Sequence, residues 1–480
     1  MGPTGASVSV ARSLPAAELR DARDPGAPLK LEFVNHSSFV IEAGGVRLLA
    51  DPWLEGTAFN DGWALLAPSA AKGADLANVT HLWHSHEHPD HFSPATLREI
   101  PESARARICV LHQQSADRKV ADFCRRLGFG EVIELAPDRW LPLAPGVEVR
   151  CEPWTGGDSW LAVRTPEATV LNLNDCAITE PSQVAAIRER VGRVDLLATQ
   201  FSISAWDGNP DDEARLRAGA DAMIRRMLVH VQGLEPRWTL PFASFVWFCH
   251  EENAFLNAFH NRVERAVAEL RAHTQTTPLV LYPGDAWELG QPCDPGPALA
   301  RWAREYDSIP TRALRRAPNV PEPELVDLSR RWSERLRQGV DPLRLRLRLA
   351  RERARLLRAQ GGLLALISAV LALLTLAEPE AFVWVSDFGS AFCVSLASGL
   401  RRAARQRESC DVQLSSDSLR YAFQFLWGGE TLQVNARFRE LRPGARGPLF
   451  QYFWLASGRN RGEALGWRDL FARLLRLRGA

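Results

Sequence analysis

The sequence lacks cysteine pairs, a large net charge and an apolar run of full membrane-spanning length. Its eight cysteines stand singly, with no Cys-x-x-Cys pair, which is typical of reduced thiols in a cytoplasmic protein rather than of a disulfide framework. The formal net charge is +1, so composition predicts no general attraction to nucleic acid or membrane. Residues 1–28 contain no apolar segment of signal-peptide length, and we expect them to form a flexible arm.

Length and composition predict a soluble protein with more than one domain. The chain has 480 residues, of which 46% are hydrophobic and 24% charged. A shift toward proline and arginine near residue 295 predicts a boundary. We therefore expect a catalytic domain over 29–294, a linker and helix over 295–340, and a smaller α+β accessory domain over 341–480.

An uncharged apolar run covers residues 361–377. It falls just short of the roughly 18 residues that a membrane helix needs. We therefore expect a buried helix or the wall of a lipid pocket, and no stable membrane span.

One stretch concentrates side chains that bind metal. Residues 86–91 read His-Glu-His-Pro-Asp-His, a His-x-His-x-Asp-His pattern. Imidazole and carboxylate suit zinc and iron. The apolar segment 76–83 predicts a strand before this loop, and Ser93-Pro94 predicts the start of a helix after it. Strand, ligand loop and helix together predict a site for one or two metal ions.

Other histidines lie outside this pattern. His84 is either a residue that holds a ligand imidazole in place or a strand-end residue. We interpret the isolated histidines as structural or surface residues: His81, His112, His230 and His260.

The motif resembles the signature of the metallo-β-lactamase superfamily, and the resemblance extends over about residues 30–290. It implies an α/β fold, an αββα sandwich, with His86 and His88 at one metal and Asp90 and His91 at the other. Segment 31–52 resembles the opening hairpin of the lactonase-like branch, with its Asp-Pro turn at the site. Segment 170–176 lies where that branch carries Gly-Asp-Thr, so the resemblance makes Asp175 the bridging carboxylate.

Two positions depart from the superfamily pattern. The loop after strand 147–153 contains no third His, which leaves Glu152 or Asp158 as the available carboxylates. Where the branch has Pro-x-His, this chain has Ala243, and His250 is the nearest substitute. Fewer imidazoles and more carboxylates favour iron or manganese without excluding zinc. Segment 279–282 is expected to close the core, and Asp285, in the turn after it, is a candidate for holding a ligand in place.

The phrases Asn-Asp-Cys at 174–176 and Tyr-Pro-Gly-Asp at 282–285 are similar to the CMP-N-acetylneuraminate hydroxylase-like branch. That branch pairs the fold with a Rieske centre, which needs Cys-x-His and Cys-x-x-His. This pair of motifs does not occur here, so redox chemistry would take its electrons from an electron-transfer partner.

These observations lead first to a metal-dependent hydrolase with two zinc or iron ions, in which Asp90 and Asp175 are the catalytic carboxylates. The target would be an ester, lactone or phosphoester of a small molecule, apolar or carrier-bound. A dinuclear-iron oxygenase of the same fold is the first alternative, and a metal-poor binding or scaffold protein is the second.

The accessory domain offers weaker signals. Residues 343–349 alternate leucine and arginine, which predicts a strand. Residues 411–438 read as strand, short helix, turn and strand, and weakly resemble the sterol-carrier-like α+β modules. Such a module could hold an apolar substrate, form a homodimer or cap the catalytic domain.

Overall fold

Two seven-stranded sheets form the centre of the first part of the chain. The computed structural model describes residues 28–338, 342–359, 362–374 and 378–461, so the predicted arm lies almost entirely outside the described residues. Strands and helices are numbered along the chain. The first sheet has the order β17-β1-β2-β3-β6-β7-β8. Its strands are β1 (Lys30–Asn35), β2 (Ser38–Ala43), β3 (Val46–Ala50), β6 (His81–His84), β7 (Cys109–Gln113), β8 (Glu131–Leu135) and β17 (Ala286–Glu288).

The second sheet has the order β16-β14-β13-β12-β11-β10-β9. Its strands are β9 (Leu141–Ala144), β10 (Val147–Pro153), β11 (Ser159–Arg164), β12 (Thr169–Asn174), β13 (Leu196–Gln200), β14 (Trp238–Phe242) and β16 (Thr277–Pro278). One apolar core contains residues of both sheets, among them Phe33, Leu111, Val163 and Leu197. The two sheets therefore pack face to face as the inner layers of a sandwich.

Helices cover the outer faces of both sheets. On the first sheet, α1 and α3 pack with the outward side chains of β3, β6 and β7. On the second sheet, the apolar faces of α4, α5 and α6 join the central core. The helices of this part are α1 (Pro94–Glu99), α2 (Glu102–Arg105), α3 (Lys119–Leu127), α4 (Pro181–Val191), α5 (Glu213–Leu234), α6 (Val263–His273) and α7 (Gly296–Ser308). The predicted αββα sandwich is confirmed.

Parallel strands bring the functional loops to one edge. β3, β6, β7 and β8 run parallel in the first sheet, and β12, β13 and β14 run parallel in the second. The carboxyl ends of parallel strands meet at one edge, where open α/β sheets place their sites. The loops after β3, β6, β12 and β14 leave from these ends.

A smaller five-stranded sheet and six helices form the second part of the chain. The sheet has the order β20-β19-β18-β21-β22. Its strands are β18 (Ala381–Val385), β19 (Ser390–Ser395), β20 (Gly399–Arg402), β21 (Val412–Leu414) and β22 (Arg439–Glu440). The helices are α8 (Glu322–Arg337), α9 (Pro342–Ala359), α10 (Gly362–Leu374), α11 (Ser416–Gln424), α12 (Gly428–Asn435) and α13 (Gly447–Asn460). The predicted boundaries of the arm, linker and accessory domain stay a prediction.

The second part shares its core with an aromatic loop of the first. This loop, residues 51–72, contains β4 (Thr57–Ala58) and β5 (Trp63–Leu65), which form a small sheet with β15 (Val246–Phe248). Trp53, Phe59 and Trp63 belong to the same apolar cluster as residues of α8, α11 and α13. The loop is therefore held between the two parts.

Two predicted elements are wrong. Residues 343–349 begin α9 and are not a strand, and the final strand expected before residue 438 is α12. The strand predicted before the ligand loop is present as β6 but is shorter than expected, because a 3₁₀ turn covers Gly73–Asn78.

The apolar run 361–377 contains α10, but the predicted burial is wrong, because the large side chains described on this helix are exposed. Among the described residues, no helix combines the length and apolar character needed to cross a membrane.

Candidate metal centre

The loop between β6 and α1 carries most of the candidate ligands. The backbone amides of His91 and Phe92 both donate to the His88 carbonyl, at 3.0 and 2.7 Å, so the loop turns tightly. The α1 helix begins after the predicted N-cap Ser93, whose hydroxyl accepts from the Thr96 amide at 3.3 Å. This turn faces the second sheet at the edge defined above.

Six predicted residues meet in this space. His86 Nε2 lies 2.8 Å from His88 Nδ1 and 3.8 Å from Asp158 Oδ1. His91 Nε2 lies 3.2 Å from Asp90 Oδ2 and 3.4 Å from Asp175 Oδ2. The sets His86–His88–Asp158 and His86–His91–Asp175 each place their ligand atoms within 4.8 Å of one another. Ligand groups from the β6 loop, the loop before β11 and the end of β12 therefore surround one centre.

Asp51, at the end of β3, fixes two of these imidazoles. Its Oδ2 lies 3.0 Å from His91 Nδ1 and accepts from Ser85 Oγ at 2.7 Å. Because the Ser85 hydroxyl donates to Asp51, it accepts from His86 Nδ1 at 2.8 Å. Both rings thus carry their proton on Nδ1 and turn the lone pair of Nε2 toward the centre, which is the arrangement that metal ligation requires.

His36 also faces the centre, but in a different tautomer. Its Nδ1 accepts a hydrogen bond from the Phe245 amide at 3.1 Å, which leaves the ring proton on Nε2. That nitrogen lies 3.4 Å from Asp90 Oδ2. His36 therefore donates to Asp90 and holds this carboxylate, although His36, Asp90 and His91 also lie within metal-binding distance of one another.

Burial and charge set the protonation of the centre. Burial lowers the pKa of His86 well below its ordinary value, and the neighbouring His91 and His88 act in the same direction. Burial also lowers the pKa of His91, but Asp90, Asp175 and Asp51 outweigh it and raise that pKa well above its ordinary value.

The carboxylates differ from one another. Burial raises the pKa of Asp90, but His91 and His36 outweigh it and hold that pKa well below its ordinary value. Burial raises the pKa of Asp158 to about 6. Metal-free protein near neutral pH thus carries the His91 proton between carboxylates, and metal uptake has to release it.

Backbone strain is concentrated at this edge. Asp51, Asn174 and Ala243 adopt positive φ angles of 40°, 52° and 46°, which cost non-glycine residues free energy. Asn174 Nδ2 donates to Asp51 Oδ2 at 2.8 Å. The Ala243 amide donates to the His36 carbonyl at 2.9 Å. The strained turns therefore position the residues that hold the ligands.

The structure leaves two predicted ligands outside the centre. Glu152 Oε1 accepts from Arg150 Nε at 2.6 Å and from the Asp138 amide at 2.8 Å, so this carboxylate belongs to an ion pair. His250 Nδ1 lies 3.4 Å from Glu252 Oε2, in a network that joins the two parts of the chain. Of the two carboxylates considered for the third position, Asp158 is the one that reaches the centre.

His84 and Asp285, the two residues predicted to hold a ligand in place, lie at different distances from the ligand loop. His84 Nδ1 lies 3.2 Å from the His91 carbonyl, so it supports the ligand loop through the backbone. Asp285 instead accepts from the Tyr282 amide at 2.9 Å and pairs with Arg301, which ties down a turn.

Sequence reasoning missed Arg226 on α5. Its guanidinium donates to Gln200 Oε1, and Gln200 Nε2 donates to Asp175 Oδ1 at 3.2 Å. Burial lowers the pKa of Arg226, although Asp175 opposes this shift. No sequence signal marks this arginine. By contrast, His36 and Asp51 are polar residues at strand ends within segment 31–52, and that position could have identified them as site residues.

The second part of the chain touches the ligand loop. Asn460 Nδ2, at the end of α13, donates to Glu87 Oε1 at 2.8 Å. Asn435 Nδ2 donates to the Phe59 carbonyl at 3.0 Å, and the Phe59 ring lies 5.8 Å from that of His88. The second part therefore supports both the ligand loop and the aromatic loop.

Residues 30–132, which include the whole ligand loop, match the family model described as the β-lactamase superfamily domain. Over this stretch the chain is similar to that family. With the two facing sheets and their outer helices, this part of the chain has the metallo-β-lactamase fold.

Three relatives of the β-lactamase superfamily domain carry informative names. A UPF0173 metal-dependent hydrolase of Pyrobaculum aerophilum is 26% identical over 154 residues, 31% of this chain and 63% of the relative. A protein of Mycolicibacterium smegmatis named as a Rieske 2Fe-2S iron-sulfur protein is 25% identical over 283 residues, 53% of this chain and 52% of the relative. The cytidine monophosphate-N-acetylneuraminic acid hydroxylase of Danio rerio is 37% identical over 86 residues, 18% of this chain and 15% of the relative.

In each case the match covers less than two thirds of the relative's length. By their names, the relatives are a metal-dependent hydrolase, an iron-sulfur protein and a hydroxylase.

Proposed function

We propose that this chain is a dinuclear-iron oxygenase that receives electrons from a redox centre outside these 480 residues. The observation that carries the proposal is Asp158, a carboxylate 3.8 Å from His86 Nε2 at the position where the superfamily pattern expects a third imidazole. With Asp90 and Asp175, the centre then has three carboxylates beside His86, His88 and His91. Such an oxygen-rich donor set favours iron over zinc.

Two buried atoms support metal binding at this centre. Asp90 Oδ1 has no hydrogen-bond partner among the described residues, and His91 Nε2 lies near the Asp90 and Asp175 carboxylates without a hydrogen bond of good geometry to either. Buried polar atoms normally have partners, and a bound cation would satisfy both. His86, His88 and Asp158 would hold one metal and Asp90 and His91 the other, and Asp175 would supply a further carboxylate to the pair.

The chain's own residues hold this donor set in place. Asp51 keeps the Nε2 lone pairs of His86 and His91 toward the centre, directly for His91 and through Ser85 for His86. His36 donates to Asp90, and Gln200 donates to Asp175. Two bound irons would supply dioxygen activation, in which one oxygen atom enters a C–H bond and the other leaves as water with electrons and protons from the donor.

The relatives favour the same proposal. The Rieske-named protein matches more than half of this chain, and the hydroxylase has the highest identity of the three relatives. A Rieske centre needs a Cys-x-His motif, which these 480 residues lack, so the proposal places the electron donor elsewhere.

A metal-dependent hydrolase is the second candidate function. The UPF0173 relative supports it, and the same six residues would then hold zinc as a Lewis acid. The predicted small-molecule substrate belongs to either function and stays a prediction.

Metal content separates the two functions. The full chain would be produced in medium supplied with both iron and zinc, then examined by elemental analysis and absorption spectroscopy in air. We expect about two irons per chain with near-ultraviolet oxo-to-iron absorption, and dioxygen uptake by chemically reduced protein. About two zincs in a colourless protein that cleaves an ester, lactone or phosphodiester panel would establish the hydrolase instead. Protein without stoichiometric metal would overturn both and support a scaffold.

A further inference from the structure

Exposed large apolar side chains are concentrated on α10. Six of the ten exposed large hydrophobic residues in the described part of the chain lie on this helix. Leu363 and Leu374, near its two ends, are 73% and 74% exposed, and Ile367 and Val370 between them are 47% and 43% exposed. At 100° per residue these four share one stripe. Contiguous apolar surface of this kind marks an interaction site.

The packing of α10 is the reverse of the packing expected for a helix in a hydrophobic core. The helix contacts α9, and the buried side chains on the two helices include the small Ala369, Ala350 and Ala354. A helix that stabilised a core would bury its leucines and leave alanines outside. Here the alanines let the two helices approach, while the leucines of α10 whose side chains are described are exposed.

The adjacent helix is strongly basic. The sequence of α9 contains seven arginines and one glutamate, whereas the whole chain has a net charge of only +1. Arg351, Arg355 and Arg358 are exposed and share one face at i, i+4 and i+7 spacing. No acidic residue stands within α10 itself. The pair of helices therefore combines an apolar stripe with a cationic stripe.

We propose that the α9–α10 hairpin binds the surface of an anionic phospholipid membrane. The α10 helix has 13 residues and is too short to span a bilayer. It suits a position in the plane of the interface, where apolar side chains enter the acyl boundary and nearby arginines meet lipid phosphates. The charge argues against a second copy of this chain as the occupant, because two arginine-rich helices would repel each other.

Vesicle flotation of the full chain tests the proposal. We expect binding to vesicles of equal parts phosphatidylcholine and phosphatidylglycerol at least about tenfold tighter than to phosphatidylcholine alone, and weaker at high salt. The double variant Ile367→Asp, Val370→Asp should lose this binding. Leu314→Asp, a matched control at a 44% exposed leucine outside the hairpin, should retain it.

The cationic stripe has its own control. Arg351→Gln, Arg355→Gln and Arg358→Gln combined should abolish the preference for anionic vesicles, whereas Arg193→Gln, Arg217→Gln and Arg316→Gln combined should not. Circular dichroism and metal content should match wild type in all these variants, because none of the residues lies at the metal centre. If the wild-type chain binds neither kind of vesicle, the proposal is overturned. The proposal is also overturned if light scattering shows that the wild-type chain is a dimer and that only the variant Ile367→Asp, Val370→Asp dissociates.

Discussion

Asp51 shows how one residue sets the chemistry of several others. A neutral histidine has one nitrogen able to bind metal, and the partner of the other nitrogen decides which. By accepting from His91 and, through Ser85, from His86, Asp51 selects Nε2 in both. The opposite choice at His36, where the Phe245 amide occupies Nδ1, makes that residue a donor to Asp90.

Asp158 and Glu152 provide the sharpest test at the level of single residues. We expect Asp158→Asn to lose most of one metal per chain, because an amide is a much weaker ligand than a carboxylate. Glu152→Gln should keep full metal content, since Glu152 pairs with Arg150 and does not face the centre. Elemental analysis of both variants, purified side by side, measures this. Normal metal content in Asp158→Asn would remove Asp158 from the ligand set.

At the level of elements, the sequence patterns predicted the caps, strands and helices that depend on residues close together in the chain. The Ser93 cap with the helix after it and β10 at 147–153 lie where the pattern placed them. The alternation at 343–349 misled because leucine and arginine are strong helix formers. The buried Leu345 and Leu349 are spaced for one helical face. This helical spacing becomes clear only when the sequence after residue 349, which continues α9, is included.

The metal centre was also predictable from the sequence only in part. The ligand loop is a contiguous motif, so the meeting of His86, His88, Asp90 and His91 follows from a few residues. The choice of Asp158 over Glu152 depends on Arg150 two positions earlier, and the role of His36 depends on an amide more than 200 residues away. Such choices are made by tertiary packing, which short patterns do not contain.

The contact between the two parts of the chain depends on Arg437. This side chain is 1% exposed and binds Glu252 Oε2 at 2.7 Å, Asp417 Oδ2 at 3.0 Å and the Asn60 carbonyl at 2.6 Å. Arg437→Met would leave the Glu252 carboxylate without its arginine and Asp417 with Arg420 alone, and breaking a buried pair costs about 3–5 kcal/mol. We expect that loss in the free energy of unfolding by urea, together with weaker metal retention as the aromatic loop loosens.

Arg331 is the matched control for this prediction. Its side chain pairs with Asp327 at 2.6 Å, and the two side chains are 61% and 51% exposed. Exposed pairs contribute only about 0–1 kcal/mol, so Arg331→Met should unfold nearly as wild type. Equal losses for the two variants would mean that the Arg437 network does not hold the two parts together.

At the level of the whole molecule, buried histidines should make the fold sensitive to acid. Burial lowers the pKa of His81, His230, His250 and His260 to about 4, whereas the unfolded chain takes up these protons near the ordinary value of about 6.5. Because the folded pKa lies below the unfolded one, the unfolded state binds more protons between these values. Stability is therefore lost as pH falls from about 6.5 toward 4.

His260 isolates this effect from the metal centre. It is buried beside Phe248 and Tyr306, with ring centroids 6.2 Å from each, so His260→Phe replaces a titrating ring by an apolar one in apolar surroundings. We expect the free energy of unfolding of this variant to fall less steeply between pH 6 and 4.5, by about one proton or 1.4 kcal/mol per pH unit. His273→Gln, at a half-exposed helix end, should leave the slope unchanged. Parallel slopes for wild type and His260→Phe would show that His260 takes up its proton in the folded protein and does not contribute to the acid sensitivity.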